Sequence, residues 1–236
     1  MSNKPTFGRN AEDFLKEIGI GHAESLSDKY GVSITSIAAC GSEKKTVRVL
    51  ISNPSGREEV EFLLMNIHVE ELELSVGGLE EELLPELEYY AEVAKAYSSA
   101  CSSFAFTQSS YSALFKKLLN KGFPKDISEE AIDCLKMTDF VREDEIALRR
   151  AQIFVEKRWG RGRIIMKLRE EGFGDGSMSL AKDFLDGTDF ASVCAEHISK
   201  KYGRVPSDEH ERKLMYASLA RMGFSPSDIK QALKLI

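Results

Sequence analysis

Hydrophobic periodicity divides the chain into a short alternating region and a long helical one. Thr46–Ser52 alternates apolar with polar residues, as a half-buried strand does. Val32–Cys40 and Val60–Leu64 have strand-like composition, and Asn53–Gly56 carries a turn signal between the last two strands. We predict a small β-hairpin or three-stranded sheet, which is too small to be stable without a helix packed on it.

From Leu79 onward apolar residues follow helical spacing, and the pattern recurs at a fixed interval. Three Gly-Phe pairs each follow an apolar helix, and their glycines are 50 and 51 residues apart. These glycines are Gly122, Gly172 and Gly223. A repeat of this length is typical of tandem helical arrays, and we expect a left-handed cap at Gly172.

The predicted fold is therefore mainly α, with an elongated tandem array of three three-helix repeats after the small β-region. The expected layout is a flexible segment at 1–30, a β-rich domain at 31–80 and helical repeats at 81–137, 138–187 and 188–236. Within the repeats, Asp126–Glu129 resembles a capping box. Ser225–Asp228 offers an N-cap, a proline at N1 and an acid at N3.

Charge is distributed unevenly along this acidic chain, whose net charge is −6. Arg57–Glu92 holds twelve glutamates, whereas Ala147–Arg169 holds eight basic residues and one acidic residue. The basic residues are Arg149, Arg150, Lys157, Arg158, Arg161, Arg163, Lys167 and Arg169. Only Glu156, Glu170 and Glu171 lie near them in sequence, so we interpret this basic stripe as a contact surface for an acidic protein or for phosphates. A solvated helix face is the alternative.

Further basic residues lie in the other two predicted repeats, and we interpret them as an extension of this contact surface. They are Lys116, Lys117 and Lys121 in the first repeat, and Arg212, Lys213 and Arg221 in the third. Trp159, the only tryptophan, is interpreted as a packing anchor rather than a platform for base stacking. The sequence Gly160-Arg161-Gly162-Arg163 lacks the complete phosphate-loop pattern and its preceding strand, which disfavours nucleotide binding.

Other protein classes receive little support. The chain has 236 residues and no apolar run long enough for a membrane span. Its four cysteines are widely separated and its four histidines stand singly, so we expect no metal site, no cofactor and no catalytic residues. We expect a reduced, cytoplasmic protein that is a monomer.

The motifs resemble those of the RecX family of regulatory proteins. The first repeat matches the family pattern at Ala100, Phe104, Ser110, Leu114, Lys117-Leu118 and Lys121-Gly122-Phe123. The second matches at Asp144-Glu145, Ala147, Trp159-Gly160 and Ile164–Gly172, and the third at Arg212-Lys213 and Leu219–Phe224. Thr107, Ala113 and Arg161 replace the arginine, glutamate and proline that the family often carries at these positions.

This resemblance implies a curved helical array that lies in the groove of the RecA filament on single-stranded DNA. It also implies inhibition of strand exchange, ATP hydrolysis and co-protease activity, without catalytic residues of its own, and hence a role in DNA repair and the SOS response. Two alternatives stay open from the residues alone. The chain could be a module that binds DNA directly, even if weakly, or a helical adaptor for another protein.

Overall fold

A computed structural model describes residues 31–138 and 140–236. The prediction for residues 1–30 concerns residues outside these ranges. The described part is mainly helical with a small antiparallel sheet, as the hydrophobic pattern predicts. It divides into two compact units. The first comprises residues up to Ser103 together with Phe115–Phe140, and the second comprises Phe104–Leu114 with Val141–Ile236.

The sheet in the first unit has four strands, one more than the sequence predicts. They are β1 (Gly31–Ala39), β2 (Lys44–Asn53), β3 (Gly56–Met65) and β4 (Gly77–Leu79), in the antiparallel order β3-β2-β1-β4. Gly77 and Gly78, which mark an interruption in the sequence pattern, instead form most of the short edge strand β4. Glycine is depleted in strands, so this pairing gives no hydrophobic signal in the sequence.

Alternation in β2 places one row of side chains in the core of the first unit. Val47, Val49 and Ile51 are buried, and Leu84 and Leu87 of the following helix belong to the same hydrophobic cluster. This contact provides the helical support that the small sheet needs.

Ten α-helices follow the three long strands in the described residues. The first unit contributes α1 (Asn66–Glu71), a 3-10 turn (Glu81–Leu83), the start of α2 (Leu84–Thr107), most of α3 (Tyr111–Asn120) and α4 (Lys125–Met137). The second unit contains α5 (Glu143–Glu156), α6 (Arg161–Glu170), α7 (Ser179–Asp186), α8 (Phe190–Tyr202), α9 (Glu209–Arg221) and α10 (Pro226–Leu235). The segment around His68, where the pattern does not distinguish strand from helix, is helix α1.

The three Gly-Phe pairs end α3, α6 and α9 in the same way. Gly122, Gly172 and Gly223 have φ of 93°, 89° and 89°. In each case the phenylalanine N–H donates to the carbonyl of a leucine five residues earlier, and the glycine N–H donates to the carbonyl three residues earlier. These are the two hydrogen bonds of a Schellman cap, so the expected left-handed cap at Gly172 is confirmed and recurs twice.

The two predicted helix starts, the capping box at Asp126–Glu129 and the N-cap at Ser225–Asp228, have different outcomes. At α10 the Ser225 hydroxyl accepts from the Asp228 N–H while the Asp228 carboxylate accepts from the Ser225 N–H, so this prediction is confirmed. The capping box predicted at Asp126–Glu129 is wrong. Helix α4 begins earlier, at Lys125 after Pro124, and the Ser128 hydroxyl donates to the Pro124 carbonyl inside the first turn.

The core of the second unit follows the apolar stripes of its helices. Helix α5 packs against α6 and α7, and α8 packs against α10. Ala181 and Leu185 of α7 and Ala232 of α10 are buried, whereas Ile236 is 53% exposed. No helix in the described ranges is both long enough and apolar enough to cross a membrane.

Candidate interaction surface

The basic stripe lies on α5, on the turn after it and on α6. Helix α5 begins with Glu143, Asp144 and Glu145, whose negative charge suits the positive end of a helix dipole. Its buried side includes Ala147, Ala151 and Phe154, and the basic residues occupy other positions on the helix. The turn ends at Gly160, which precedes the first residue of α6.

The backbone of this turn contacts the Gly-Phe end of α9 directly. The Gly160 N–H donates to the Met222 carbonyl at 2.8 Å, and the Gly162 N–H donates to the Gly223 carbonyl at 3.0 Å. A Cβ on Gly160 would lie 2.2 Å from the Gly223 carbonyl carbon. The glycines of the Gly-Arg-Gly-Arg sequence therefore permit close backbone packing.

The Trp159 ring contacts two neighbouring side chains. The Phe154 ring stacks on it with centroids 4.7 Å apart and an interplanar angle of 2°. The Arg163 guanidinium lies 4.0 Å from the Trp159 ring centroid and also donates to the Met222 Sδ at 2.7 Å. These contacts fit a packing anchor, and they give Arg163 a structural role as well as a charge.

Carboxylates from elsewhere in the second unit pair with most of the stripe. Five of its eight basic residues have an ion-pair partner. The pairs are Arg150 with Glu171, Arg158 with Glu196, Arg161 with Asp186, Lys167 with Glu170, and Arg169 with Asp175. Three of these acids are distant in sequence, so the expectation that the stripe lacks enough neighbouring acids is wrong for much of its length.

Asp175 shows the electrostatic effect of this pairing. Hydrogen bonds from Lys182, at 2.8 Å, and from Arg169, at 3.4 Å, hold the pKa of its carboxyl below the usual range. Asp175 is therefore ionised at neutral pH and offsets part of the positive charge near the end of α6. The basic character of the stripe is consequently weaker at this end than the sequence indicates.

The other end of the stripe is more open. Arg149 is exposed and donates to the Gln108 side chain at 3.0 Å, and Arg150 donates to the Thr107 carbonyl at 3.4 Å. Both arginines line a cleft of about 310 Å³ with Ile146 and Ile153, whose remaining wall is Ala105–Gln108. Phe106 on this wall is 89% exposed, so an aromatic ring and two guanidinium groups border one cleft.

Sequence reasoning does not identify Phe106 or Gln108 as parts of this surface. Phe106 lies near the end of a long apolar helix, where an aromatic residue usually indicates core. Gln108 has φ of 42° directly after α2, and no sequence motif marks it. Only the tertiary structure brings both residues beside Arg149.

The secondary basic residues are not all free for contacts. In the first unit Lys116 is exposed, and the Lys121 ammonium donates to the Ser99 and Ser103 hydroxyls. In the second unit Arg212 and Arg221 are exposed, and Lys213 lies 2.8 Å from a Glu209 oxygen. Lys117, on α3, is half-buried, and Lys157, after α5, lies 5.8 Å from the Phe154 ring centroid.

Comparison with known proteins gives both a sequence relative and structural neighbours. No family model matches the chain. A regulatory protein RecX from Chromobacterium violaceum is 28% identical over 120 residues, which cover 51% of this chain and 76% of the relative.

Two solved structures have the same fold. The crystal structure of a regulatory protein RecX covers 86% of this chain and 99% of its own, with a TM-score of 0.63 and 19% identity. The crystal structure of RecX from Lactobacillus salivarius covers 61% of this chain and 98% of its own, with a TM-score of 0.52 and 21% identity. In sequence and in fold, this chain is therefore similar to regulatory proteins of the RecX family.

Proposed function

We propose that this protein binds the RecA filament on single-stranded DNA and restrains it, lowering strand exchange, ATP hydrolysis and co-protease activity. The observation that carries the proposal is the sequence match to a regulatory protein RecX over 76% of that protein. Such a regulator would act in the cytoplasm, where recombination occurs, and would need no cofactor. Its mechanism would be steric and electrostatic.

We further propose that the helices form an array of three three-helix repeats at 81–137, 138–187 and 188–236. Two contacts support this arrangement. Gly172 lies against Ser110 and Ser112, and Gly223 lies against Gly160 and Gly162. The residues of the second contact lie about 50 positions after those of the first, which is also the spacing of the Gly-Phe ends. Each contact would therefore be a junction that joins one repeat to the next.

The partner-binding surface would centre on Arg149, Arg150 and Phe106. Exposed ion pairs contribute only about 0–1 kcal/mol each, so the Arg150–Glu171 pair at 3.7 Å can be exchanged for a partner's carboxylate or phosphate at little cost. Phe106 offers apolar area that a partner could bury, and aromatic and arginine side chains together often carry most of the energy at interfaces.

Charge reversal at this cleft tests the proposal. Arg149→Glu with Arg150→Glu should weaken binding to the filament by about tenfold or more, because two attractive charges become repulsive. Arg161 and Arg163 are left unchanged, since they contact Asp186, Trp159 and Met222 and support the fold. Binding can be measured by fluorescence anisotropy of the labelled protein titrated with filament.

A matched control is available on α10. Lys230→Glu with Lys234→Glu makes the same change in net charge at two exposed positions of the same unit. This control should bind as the wild type does. If the cleft variant bound the filament as tightly as the wild type does, the cleft would have no part in filament binding. The proposed regulatory function would still stand.

Direct binding to single-stranded DNA is a second candidate function, which the same cleft favours. An exposed aromatic ring beside arginines can stack on a base while the arginines contact phosphates. This function predicts that Phe106→Ala weakens binding to an oligonucleotide without recombinase, and that affinity falls steeply with salt. Absence of oligonucleotide binding at low salt would exclude it.

A further inference from the structure

The first unit contains a cluster of three potential metal ligands, which the sequence does not reveal. His68 on α1 is 1% exposed, and its Nε2 lies 3.5 Å from the Glu130 Oε1 and 3.8 Å from the Cys134 Sγ on α4. All three ligand atoms lie within 4.8 Å of one another. The two α4 residues are four positions apart and so lie on the same helical face.

We propose that His68, Glu130 and Cys134 bind a divalent transition-metal ion of the zinc class. An imidazole nitrogen, a thiolate and a carboxylate oxygen are the donors that zinc takes in proteins. For a tetrahedral ion with bonds of about 2.0–2.3 Å, adjacent ligand atoms are roughly 3.3–3.6 Å apart. The two distances from the His68 Nε2 are within a few tenths of an ångström of this spacing.

The surroundings hold the histidine in an orientation suited to binding. Its ring stacks on Tyr90, with centroids 4.1 Å apart and an interplanar angle of 26°. Its Nδ1 is buried and makes no hydrogen bond within the described residues, so its polar contacts are made by Nε2, which is directed at the carboxylate and the thiol. A buried imidazole held in this way loses little further freedom when it binds an ion.

The cluster has an opening on the Glu130 side. The side chain of Glu130 is 41% exposed, whereas His68 and Cys134 are buried. An ion can therefore enter past the carboxylate, and water or another ligand can occupy a fourth position, as in zinc sites with three protein ligands. On binding, the Cys134 thiol would lose its proton to the solvent and become a thiolate ligand.

The consequence for the protein would be a link between α1 and α4. Helix α1 directly follows strand β3, so a bound ion would tie the sheet-bearing segment to a helix over 60 positions later in the chain. Such a link stabilises the folded state, because the assembled ligand set does not exist in the unfolded chain.

Cobalt titration tests the site, because a cysteine thiolate bound to Co²⁺ gives a charge-transfer band in the near ultraviolet. The full-length metal-free protein, kept reduced, should bind one Co²⁺ per chain with this band. Cys134→Ser should abolish the band, and Glu130→Gln, which keeps the thiol, should weaken Co²⁺ binding by about tenfold or more. Added Zn²⁺ should displace Co²⁺ and raise the Tm of the wild type.

Two controls separate the site from general effects on folding. Cys194→Ser removes a buried thiol of the second unit, and Glu129→Gln changes an exposed neighbour of Glu130. Both should keep the band and the Tm response to Zn²⁺. The proposal is overturned if the wild type shows no thiolate band, if Cys134→Ser keeps it, or if Glu130→Gln binds Co²⁺ as tightly as Glu129→Gln.

Discussion

Two junctions in the second unit have the same plan but different chemistry. At one, the N-terminal end of α3 contacts the end of α6, and Ser110 and Ser112 face Gly172. At the other, the N-terminal end of α6 contacts the end of α9, and Gly160 and Gly162 face Gly223. Gly160 and Gly162 occupy the positions that correspond to Ser110 and Ser112, 50 residues earlier.

The two junctions differ in the group that donates the equivalent hydrogen bond: a side-chain hydroxyl at the first and a backbone N–H at the second. The Ser110 hydroxyl donates to the Glu171 carbonyl at 2.6 Å, whereas the Gly160 N–H donates to the corresponding Met222 carbonyl at 2.8 Å. Two backbones therefore approach each other more closely at the second junction. The Gly-Arg-Gly-Arg sequence, which superficially resembles a phosphate loop, is explained by this approach.

Replacing the cap glycines one at a time should give the largest losses of stability. The size of each loss indicates how closely the chain packs at that junction. Gly223→Ala should destabilise the protein by about 3 kcal/mol or more, since the new Cβ combines left-handed strain with a 2.2 Å contact to the Arg163 nitrogen. Gly172→Ala should cost about 2 kcal/mol, because its nearest neighbours are serine side chains. Chemical denaturation measures these differences.

Gly122→Ala is the control for backbone strain in this series. Gly122 has a similar φ of 93°, but among the described residues, apart from its chain neighbours, no heavy atom lies within 4 Å of an added Cβ. Only the left-handed penalty of about 1 kcal/mol should remain. Equal losses of stability in all three variants would show that strain alone matters and that the close approach at Gly223 does not.

Ser110→Ala should have an intermediate effect. The buried Ser110 hydroxyl both donates to the Glu171 carbonyl and accepts from the Ala113 N–H as the N-cap of α3. Losing both hydrogen bonds should reduce the free energy of unfolding by about 1–2 kcal/mol.

Ser128→Ala provides the comparison for Ser110. The Ser128 hydroxyl is also buried, but the Pro124 carbonyl to which it donates also accepts from the Ser128 N–H. Removing the Ser128 hydroxyl should therefore lower the free energy of unfolding by only about 0.5 kcal/mol. A Ser110 variant no less stable than this one would contradict the role of the hydroxyl in the junction.

The smallest expected effect concerns pH at the second junction. Burial lowers the pKa of His197, whose ring lies beside Phe224, and the charges of Lys201 and Arg158 lower it further. Below about pH 6.5 the unfolded chain gains a proton at this histidine more readily than the folded protein does, so stability falls as pH decreases.

His197→Gln should reduce the fall in Tm between pH 7 and pH 5.5 by roughly 2 °C. His210→Gln, at an exposed position of α9, should leave that fall as in the wild type. An unchanged pH dependence in the His197 variant would show that this histidine does not contribute to acid destabilisation.

Local signals in the sequence predict most elements correctly. The Gly-Phe ends and the Ser225 cap depend on residues within a few positions of each other, and the structure confirms them. The capping box at Asp126 fails for a local reason as well, because the N-cap is Pro124, two residues before Asp126. Strand β4 is missed because its two glycines have no side chains to show alternation.

Contacts between distant residues are the part that a single sequence does not reveal. Arg161 pairs with Asp186, 25 positions away, and Arg158 with Glu196, 38 positions away. The cleft of Phe106 and Arg149 and the cluster of His68 with Cys134 likewise depend on how separate helices pack. For this reason, a count of basic residues along the sequence overstates the positive charge that has no acidic partner.

The most direct test of the central claim is DNA-dependent ATP hydrolysis by RecA on single-stranded DNA, titrated with this protein. We predict that hydrolysis falls with the wild type and with the Lys230→Glu, Lys234→Glu control, and that the Arg149→Glu, Arg150→Glu variant requires about tenfold more protein for the same fall. Unchanged hydrolysis at saturating wild-type protein, with no binding to the filament, would contradict the assignment of function.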